Sequence, residues 1–305
     1  MSNVLYNRNL KGVKIMTKNM HIGFIGTGVM GKSMISNLLK SNFKVSIFTR
    51  TKSKAEHLIK QGATWESSIA ELSQKADIVI TMVGYPTDVE EVYFGSEGIL
   101  NNSKEGTYLI DMTTSKPSLA IDIFNEARSK KMFAVDAPVS GGDIGAKNGS
   151  LAIMVGGEQK VFNHLLPVFK VLGENIILQG AAGAGQHTKM ANQITIASNM
   201  IGVAEAIMYA KKAGLDPSQV LDSITTGAAG SWSLSNLAPR MIQHDDAPGF
   251  YIKHFIKDMK IAIESAKEMG LETPGLALSL KLYEELAKKG EEDSGTQALI
   301  KWFEE

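Results

Sequence analysis

No cysteine occurs in the 305 residues, which removes disulfides, thiolate zinc sites and cysteine nucleophiles together. Neither sign of charge is in excess: Lys+Arg and Asp+Glu both number 32, for a formal net charge of zero. That balance offers no footprint for DNA, RNA or an anionic membrane surface. Short basic runs such as Arg128 to Lys131 read as solvated helix ends. Long apolar runs are missing too. The most apolar long segment, Ile194 to Ala210, contains Asn199 and Glu205 and suits a buried helix better than a membrane span. No spacing of side chains suits a metal and no serine-histidine-acid order suits a hydrolase, so neither is expected. Internal repeats and low-complexity tracts are absent as well. Residues 1–20 are polar, with Arg8, Lys11, Lys14 and Lys18 scattered through them, and lack the apolar core of a signal peptide. They are expected to form a disordered extension, with Met16 or Met20 as alternative starts, and the chain is expected to be cytoplasmic.

What is present begins with length. A chain of 305 residues, 44% of them hydrophobic, exceeds one typical domain and can bury substantial cores, so two domains are expected. The apolar run His21 to Ile25 leads directly into Gly26-Thr27-Gly28-Val29-Met30-Gly31, and a helical pattern with Met34, Ile35, Leu38 and Leu39 on one side follows. Gly-x-Gly-x-x-Gly is weak alone but has a mechanism between a strand and a helix. The first Gly permits the tight turn, the second lets backbone approach a pyrophosphate, and the third lets helix pack on strand. The phosphates then meet the free N–H groups of the helix start.

A second strand, Lys44 to Phe48, ends in Thr49-Arg50-Thr51-Lys52. A site for NAD usually has an acid here to hold the ribose hydroxyls, and none occurs between Val45 and Ala55. Arg50 instead offers a fork for a 2′-phosphate, with Thr49, Thr51 and Lys52 as supporting donors, which predicts NADP in preference to NAD. The plainer alternative is an arginine on an exposed loop.

Further apolar runs follow at Ala63 to Trp65, Ala76 to Val83, Thr107 to Asp111, Phe133 to Ala137, Ala152 to Val155 and Asn175 to Leu178, mostly separated by helical patterns such as Ser68 to Gln74 and Pro117 to Lys130. Strands apolar throughout and alternating with helices predict an α/β doubly wound, mostly parallel sheet. Ligands bind at the carboxyl ends of such strands, which draws attention to Val83 to Pro86, Met112 to Ser115 and Ala137 to Gly142. Thr113, Thr114 and Ser115 put three hydroxyls before a helix starting near Pro117; a hydroxyl there could equally be a helix cap. Ser140, Gly141 and Gly142 could present a hydroxyl and backbone amides to a small carboxylate, or form an ordinary turn.

After Gly180 the character changes. Gly183 and Gly185 read as a flexible joint, and no Gly or Pro follows until Gly202, so one long helix is predicted from Gln186 to Ala213. Such a helix would be about 42 Å long at 1.5 Å per residue. Lys189, Asn192, Gln193 and Ile196 share one of its faces. A lysine and two amides facing an apolar side are costly to bury without a purpose, although Lys189 could snorkel to water and Asn192 bridge backbone. Beyond Gly185 only helical periodicities occur, separated by breakers. Among them, Tyr251 to Ala262 carries Lys253, Lys257 and Lys260, a solvated face on the residues alone, with His254 and Asp258 spaced to pair.

Taken together, the motifs GFIGTGVMG, DAPVSGGDIGA, GAGQHTKMANQ and KDM, in that order from about Ile22 onward, resemble the β-hydroxyacid dehydrogenase family. That family includes 3-hydroxyisobutyrate dehydrogenase, tartronate semialdehyde reductase and glyoxylate/succinic semialdehyde reductase. The resemblance implies an N-terminal Rossmann-type doubly wound domain over residues 21–182, followed by an all-α C-terminal domain over 183–305 that begins with the long helix. It implies that Gly26, Thr27, Gly28, Val29, Met30 and Gly31 hold the cofactor pyrophosphate and that Met82, Val83, Gly84 and Thr114 lie along the nicotinamide end. Thr114, Ser140, Gly141 and Gly142 match the substrate side, with the last three as the carboxylate loop. Lys189 matches the catalytic lysine, Asn192 the substrate-orienting amide, and Lys257 a lysine of the helical domain that closes over the cofactor. The family commonly has Asn after the position of Asn192, whereas this chain has Gln193, which leaves the role of the second amide open. The implied activity is NADP-preferring interconversion of a small β-hydroxyacid and its semialdehyde, with 3-hydroxyisobutyrate as the default substrate, glyoxylate, succinic semialdehyde or tartronate semialdehyde as rivals, and NAD also usable, in a homodimer or homotetramer built through the helical domain. The alternatives are a decarboxylating relative of 6-phosphogluconate dehydrogenase, whose phosphate site finds no convincing basic cluster here, and a non-catalytic dinucleotide-binding module.

Overall fold

The computed structural model describes residues 20–304. The expectation for residues 1–20 therefore falls outside the described residues except at Met20, which is buried in the main core. Among the described residues, nine strands form one sheet: β1 (His21–Ile25), β2 (Lys44–Phe48), β3 (Thr64–Trp65), β4 (Ile78–Thr81), β5 (Tyr108–Asp111), β6 (Phe133–Asp136), β7 (Val139–Ser140), β8 (Leu151–Gly156) and β9 (Gly173–Gly180). Their order is β3-β2-β1-β4-β5-β6-β8-β7, with β9 paired to β8. The first six are parallel to one another. β8 runs antiparallel to β6 and β7 and parallel to β9.

The sheet is apolar because both faces are covered. Every residue of β1, β4 and β5 is buried, as expected when crossover helices occupy both sides. On one face Met34, Ile35, Leu38, Leu165 and Phe169 pack against β-strand residues such as Phe24 and Ile110. On the other, Leu72, Val89, Tyr93 and Ile123 pack against Ile25, Val79 and Leu109. Strand β7 escapes a periodicity reading because two residues carry no alternation. The run expected over Ala76 to Val83 shortens to Ile78–Thr81, since its last residues leave the sheet to build the site.

The long helix spans Ala184–Lys212, 29 residues, and ends where Gly214 turns left-handed at φ +75°. Helices Pro217–Ile224, Ile252–Glu268 and Pro274–Leu286 surround it. Met200, Ile207, Phe255, Met259, Tyr283 and Leu299 belong to this second core. Among the described residues, its β structure is limited to one bridge between Tyr251 and Gly295.

The expected flexible joint is instead tightly packed. Gly183 does take a left-handed φ of +87°, but a Cβ on it would lie 3.1 Å from the Pro117 carbonyl oxygen and from Ile121 Cγ1. A Cβ at Gly185 would stand 2.4 Å from the Met154 carbonyl oxygen and 2.7 Å from Asp136 Oδ2. Glycine serves close approach there, not freedom of motion.

Candidate active site

The turn from β1 into helix Val29–Lys40 needs its glycines for different reasons. Gly26 sits at φ +103°, and a Cβ on it would lie 2.1 Å from the Met82 carbonyl oxygen. A Cβ on Gly31 would lie 2.1 Å from the Gly26 carbonyl oxygen. At Gly28 a Cβ would meet nothing within 4 Å, so the backbone faces open space. The helix starting beside it has no side-chain cap and no acid in its first turn. Its leading N–H groups and positive dipole end are thus free for an anion, which fits a dinucleotide pyrophosphate over Thr27, Gly28, Val29 and Met30.

The other sequence-predicted residues gather at the same carboxyl edge of the sheet. Thr49, Arg50 and Thr51 follow β2, with the Arg50 side chain 85% exposed and 3.9 Å from Asp88 Oδ1. Lys52 is drawn aside, its ammonium 4.5 Å from the centre of the Trp65 ring. Met82, Val83 and Gly84 leave β4 half-buried, and the Val83 amide donates to Thr113 Oγ1 at 3.0 Å. None of the three hydroxyls after β5 caps the following helix, whose first flanking residue, Lys116, has no side-chain cap. Thr113 serves the Val83 amide, Thr114 is half-buried, and Ser115 Oγ is buried without a hydrogen bond. Ser140 is half-buried at the end of β7. Gly141 and Gly142 follow at φ +125° and +62°, conformations that favour glycine.

Lys189 lies on the long helix, 7% exposed and with no hydrogen bond or ion pair among the described residues. Burial lowers its pKa to about 8; nearby Asp258 opposes the shift and nearby Lys257 adds to it. One turn on, Asn192 Nδ2 donates to Gln193 Oε1 at 2.7 Å, and Gln193 Nε2 donates to Asp258 Oδ2 at 2.6 Å. Gln193 is thus a buried bridge from Asn192 to the helix Ile252–Glu268. Lys257 is the one lysine of its group that leaves the solvated face, its side chain only 11% exposed. Its ammonium donates to the Thr114 carbonyl at 2.6 Å and lies 2.9 Å from Asp258 Oδ1, a charge contact without hydrogen-bond geometry. Lys253 and Lys260 instead pair outward with Asp293 and Glu284. The spacing of His254 and Asp258 does not become a pair: His254 packs on the rings of Tyr85 and Tyr251.

Beneath this layer sit residues whose roles the sequence did not suggest. Asp136 ends β6 and accepts from the Gly183 amide at 2.7 Å and the Gln186 amide at 2.8 Å, capping the long helix from the neighbouring sheet. Asp111, its register partner on β5, accepts from Thr81 Oγ1 at 2.7 Å and the Thr113 amide at 3.1 Å. Burial pushes its pKa up to about 6, and Asp136 adds to the rise. Burial also raises the Asp136 carboxyl, against the pull of its backbone donors. The only sequence signal for either was an acid closing an otherwise apolar strand.

A glycine turn open to an anion at the carboxyl edge of a parallel sheet, in a chain that also carries a buried lysine on its long helix, fits a dinucleotide-dependent oxidoreductase. The comparisons make this specific. Residues 21–180 match the model described as the NAD binding domain of 6-phosphogluconate dehydrogenase, and residues 183–303 match that of NADP-dependent 3-hydroxyisobutyrate dehydrogenase. An uncharacterized oxidoreductase of Bacillus subtilis is 65% identical over 92% of this chain and 97% of its own. A probable mitochondrial 3-hydroxyisobutyrate dehydrogenase-like protein of Arabidopsis thaliana is 48% identical over 94% of this chain and 86% of its own. Among solved structures, 3-hydroxyisobutyrate dehydrogenase of Mycobacterium tuberculosis with L-serine superposes at TM-score 0.85, with 30% identity over 92% of this chain and 98% of that one. The chain belongs to the 3-hydroxyisobutyrate dehydrogenase family of NAD(P)-dependent oxidoreductases.

Proposed function

We propose that this enzyme uses NADP in preference to NAD to interconvert a small β-hydroxyacid and its semialdehyde, with 3-hydroxyisobutyrate as the leading substrate and Lys189 as the proton carrier. The observation that carries the proposal is Lys189 itself: an ammonium 7% exposed, without a hydrogen bond or ion pair among the described residues, whose pKa is lowered to about 8. Structural lysines are usually paired or well exposed, and this one is neither.

The nicotinamide, when bound, supplies or accepts the hydride. The chain's own residues do the rest. Gly26 to Gly31 hold the pyrophosphate, Met82, Val83, Gly84 and Thr114 border the nicotinamide end, and Lys257 closes from the helical side. Arg50, with Thr49 and Thr51, takes the 2′-phosphate. Ser140, Gly141 and Gly142 receive the substrate carboxylate, which makes the bound substrate a small acid. Asn192 orients the reacting oxygen, and Gln193 holds Asn192 in place. Lys189 donates its proton to the alkoxide oxygen during reduction and takes it back during oxidation. Reduction therefore falls as pH rises through about 8, where the ammonium is lost, and oxidation gains.

The test is NADPH consumption against a panel of two- to four-carbon semialdehydes, including glyoxylate, tartronate semialdehyde and succinic semialdehyde. Turnover greatest with methylmalonate semialdehyde supports the proposal; another preferred aldehyde reassigns the substrate, and no turnover on any overturns the reading. For the cofactor, Arg50→Ala is expected to raise KM for NADPH about tenfold or more while leaving that for NADH within about twofold, since one charge-assisted fork is lost. Equal effects would defeat the 2′-phosphate assignment. Assembly through the helical domain, where Tyr209 and Trp232 are 76% and 66% exposed, is part of the same proposal. Light scattering on the purified protein checks it, and a monomer at micromolar concentration counts against it.

A further inference from the structure

We propose that Gln186 is a positioning residue for the proton transfer at Lys189: its side chain fastens the start of the long helix to the loop that carries Thr114. The inference rests on the assignment of Lys189 above and adds a residue to it.

Gln186 is fully buried, and its amide group is satisfied by a single short segment of another element. Oε1 accepts from the Ser115 amide at 2.9 Å, and Nε2 donates to the Thr113 carbonyl at 2.7 Å. The two bonds bracket Thr114 as a neighbouring strand would. Capping does not explain the residue, because Asp136 already accepts from the Gly183 and Gln186 backbone amides. Only a side chain with both a donor and an acceptor on an arm of this length can make the pair of bonds.

Two consequences follow from position. Lys189 stands three residues further on, on the same side of the helix. The Thr114 carbonyl, held between the bracketed bonds, accepts from Lys257. The Thr113–Ser115 loop is thus gripped by both helices that shape the site, and Gln186 is the grip on the helix that carries Lys189. A satisfied buried network of this kind is rigid, and rigidity is what places a donor.

Deleting the grip has a chemical signature beyond lost packing. In Gln186→Met the Ser115 amide and Thr113 carbonyl must turn to water, which also hydrates the surroundings of Lys189. The charged groups facing Lys189, Asp258 and Lys257, are unchanged by the substitution. Its pKa should therefore move up from about 8, toward the ordinary lysine value of about 10.4.

The experiment compares the wild type, Gln186→Met, Gln186→Glu and Lys189→Met as full-length enzymes with NADPH and the best aldehyde of the panel. For Gln186→Met, kcat is expected to fall about 30- to 100-fold, the scale of an ångström of misplacement. Its KM for NADPH should stay within about threefold, because the pyrophosphate turn is untouched. Its alkaline limb in reduction should move up by about half a pH unit or more as the lysine is hydrated. Gln186→Glu keeps the acceptor for Ser115 and should lose less, about tenfold, with its limb also moved up by the added negative charge. Wild-type kcat in Gln186→Met overturns the inference, and so does a lower kcat with an unmoved limb, the mark of a purely structural role. If Gln186→Met does not fold, Gln186→Glu decides by kcat, since its added charge moves the limb by itself: wild-type kcat in that variant overturns the inference. Wild-type turnover in Lys189→Met instead overturns the assignment of Lys189, whereas an inactive Lys189→Met beside an unimpaired Gln186→Met overturns only the role of Gln186.

Discussion

Two charges are buried along the first turns of the long helix, and they are treated in opposite ways. Asp136, under the helix start, receives two backbone amides at 2.7 and 2.8 Å, and a Cβ on Gly156 or Gly185 would collide with its oxygens. Lys189, little more than a turn beyond Gly185, has no hydrogen bond or ion pair among the described residues. A carboxylate saturated by donors fixes two elements together; an ammonium left without acceptors is destabilised in its charged form and ready to release a proton. On the proposed assignment, the contrast separates a residue that builds the site from one that works in it.

The contrast breaks most plainly at turnover. Lys189→Met is expected to lose about 10²- to 10⁴-fold in kcat, the usual contribution of a general acid, while fluorescence titration shows NADPH still bound. At the other pole, Gly185→Ala should destabilise by about 3 kcal/mol in urea unfolding, because backbone and carboxylate oxygens, not a flexible side chain, oppose the new methyl. Asp136→Asn should destabilise by about 1–3 kcal/mol, since its new NH₂ must face one of the amides that Asp136 accepts.

Stability and activity should then part company. The pKa of Lys189 is lowered, so its contribution to stability is present above the ordinary lysine value and lost as pH falls through about 8. Lys189→Met is accordingly expected to be more stable than the wild type at pH 7, by about 1–2 kcal/mol. A less stable variant would mean that the ammonium has a partner in solution. Asp111 gives the smallest effect and the opposite dependence. Its folded pKa is raised to about 6, so its contribution is present below the ordinary carboxylate value and lost as pH rises through about 6. Asp111→Asn keeps an acceptor for Thr81 and Thr113 and should flatten the fall in stability between pH 4 and 7, by about 1 kcal/mol. Urea unfolding at the two pH values checks it.

The legible parts of the molecule were those written in short range. Strands β1 and β2 and the glycine turn could be located from consecutive residues, because a doubly covered sheet demands unbroken apolar runs and a pyrophosphate turn demands glycine at fixed spacing. Lys189, Asn192 and Gln193 were visible as polar residues on an otherwise apolar helix. Gln193 could not be assigned, since its acceptor, Asp258, lies 65 residues away. Asp136 and Gln186 went unread for the same reason: their partners lie 47 to 73 residues distant. Even the two glycines at the domain boundary misled, because a sequence shows a missing Cβ but not what presses against it.

By itself, then, the sequence determined the α/β sheet, the long helix, the glycine turn and the presence of a lysine on the helix, each set by residues within a few positions of one another. The tertiary structure alone decided that Lys189 has no partner among the described residues, that Lys257 reaches the Thr114 carbonyl, and that Asp136 and Gln186 bind helix to sheet. Proton affinity and alignment depend on which distant groups come within about 3 Å, and only the folded chain fixes that.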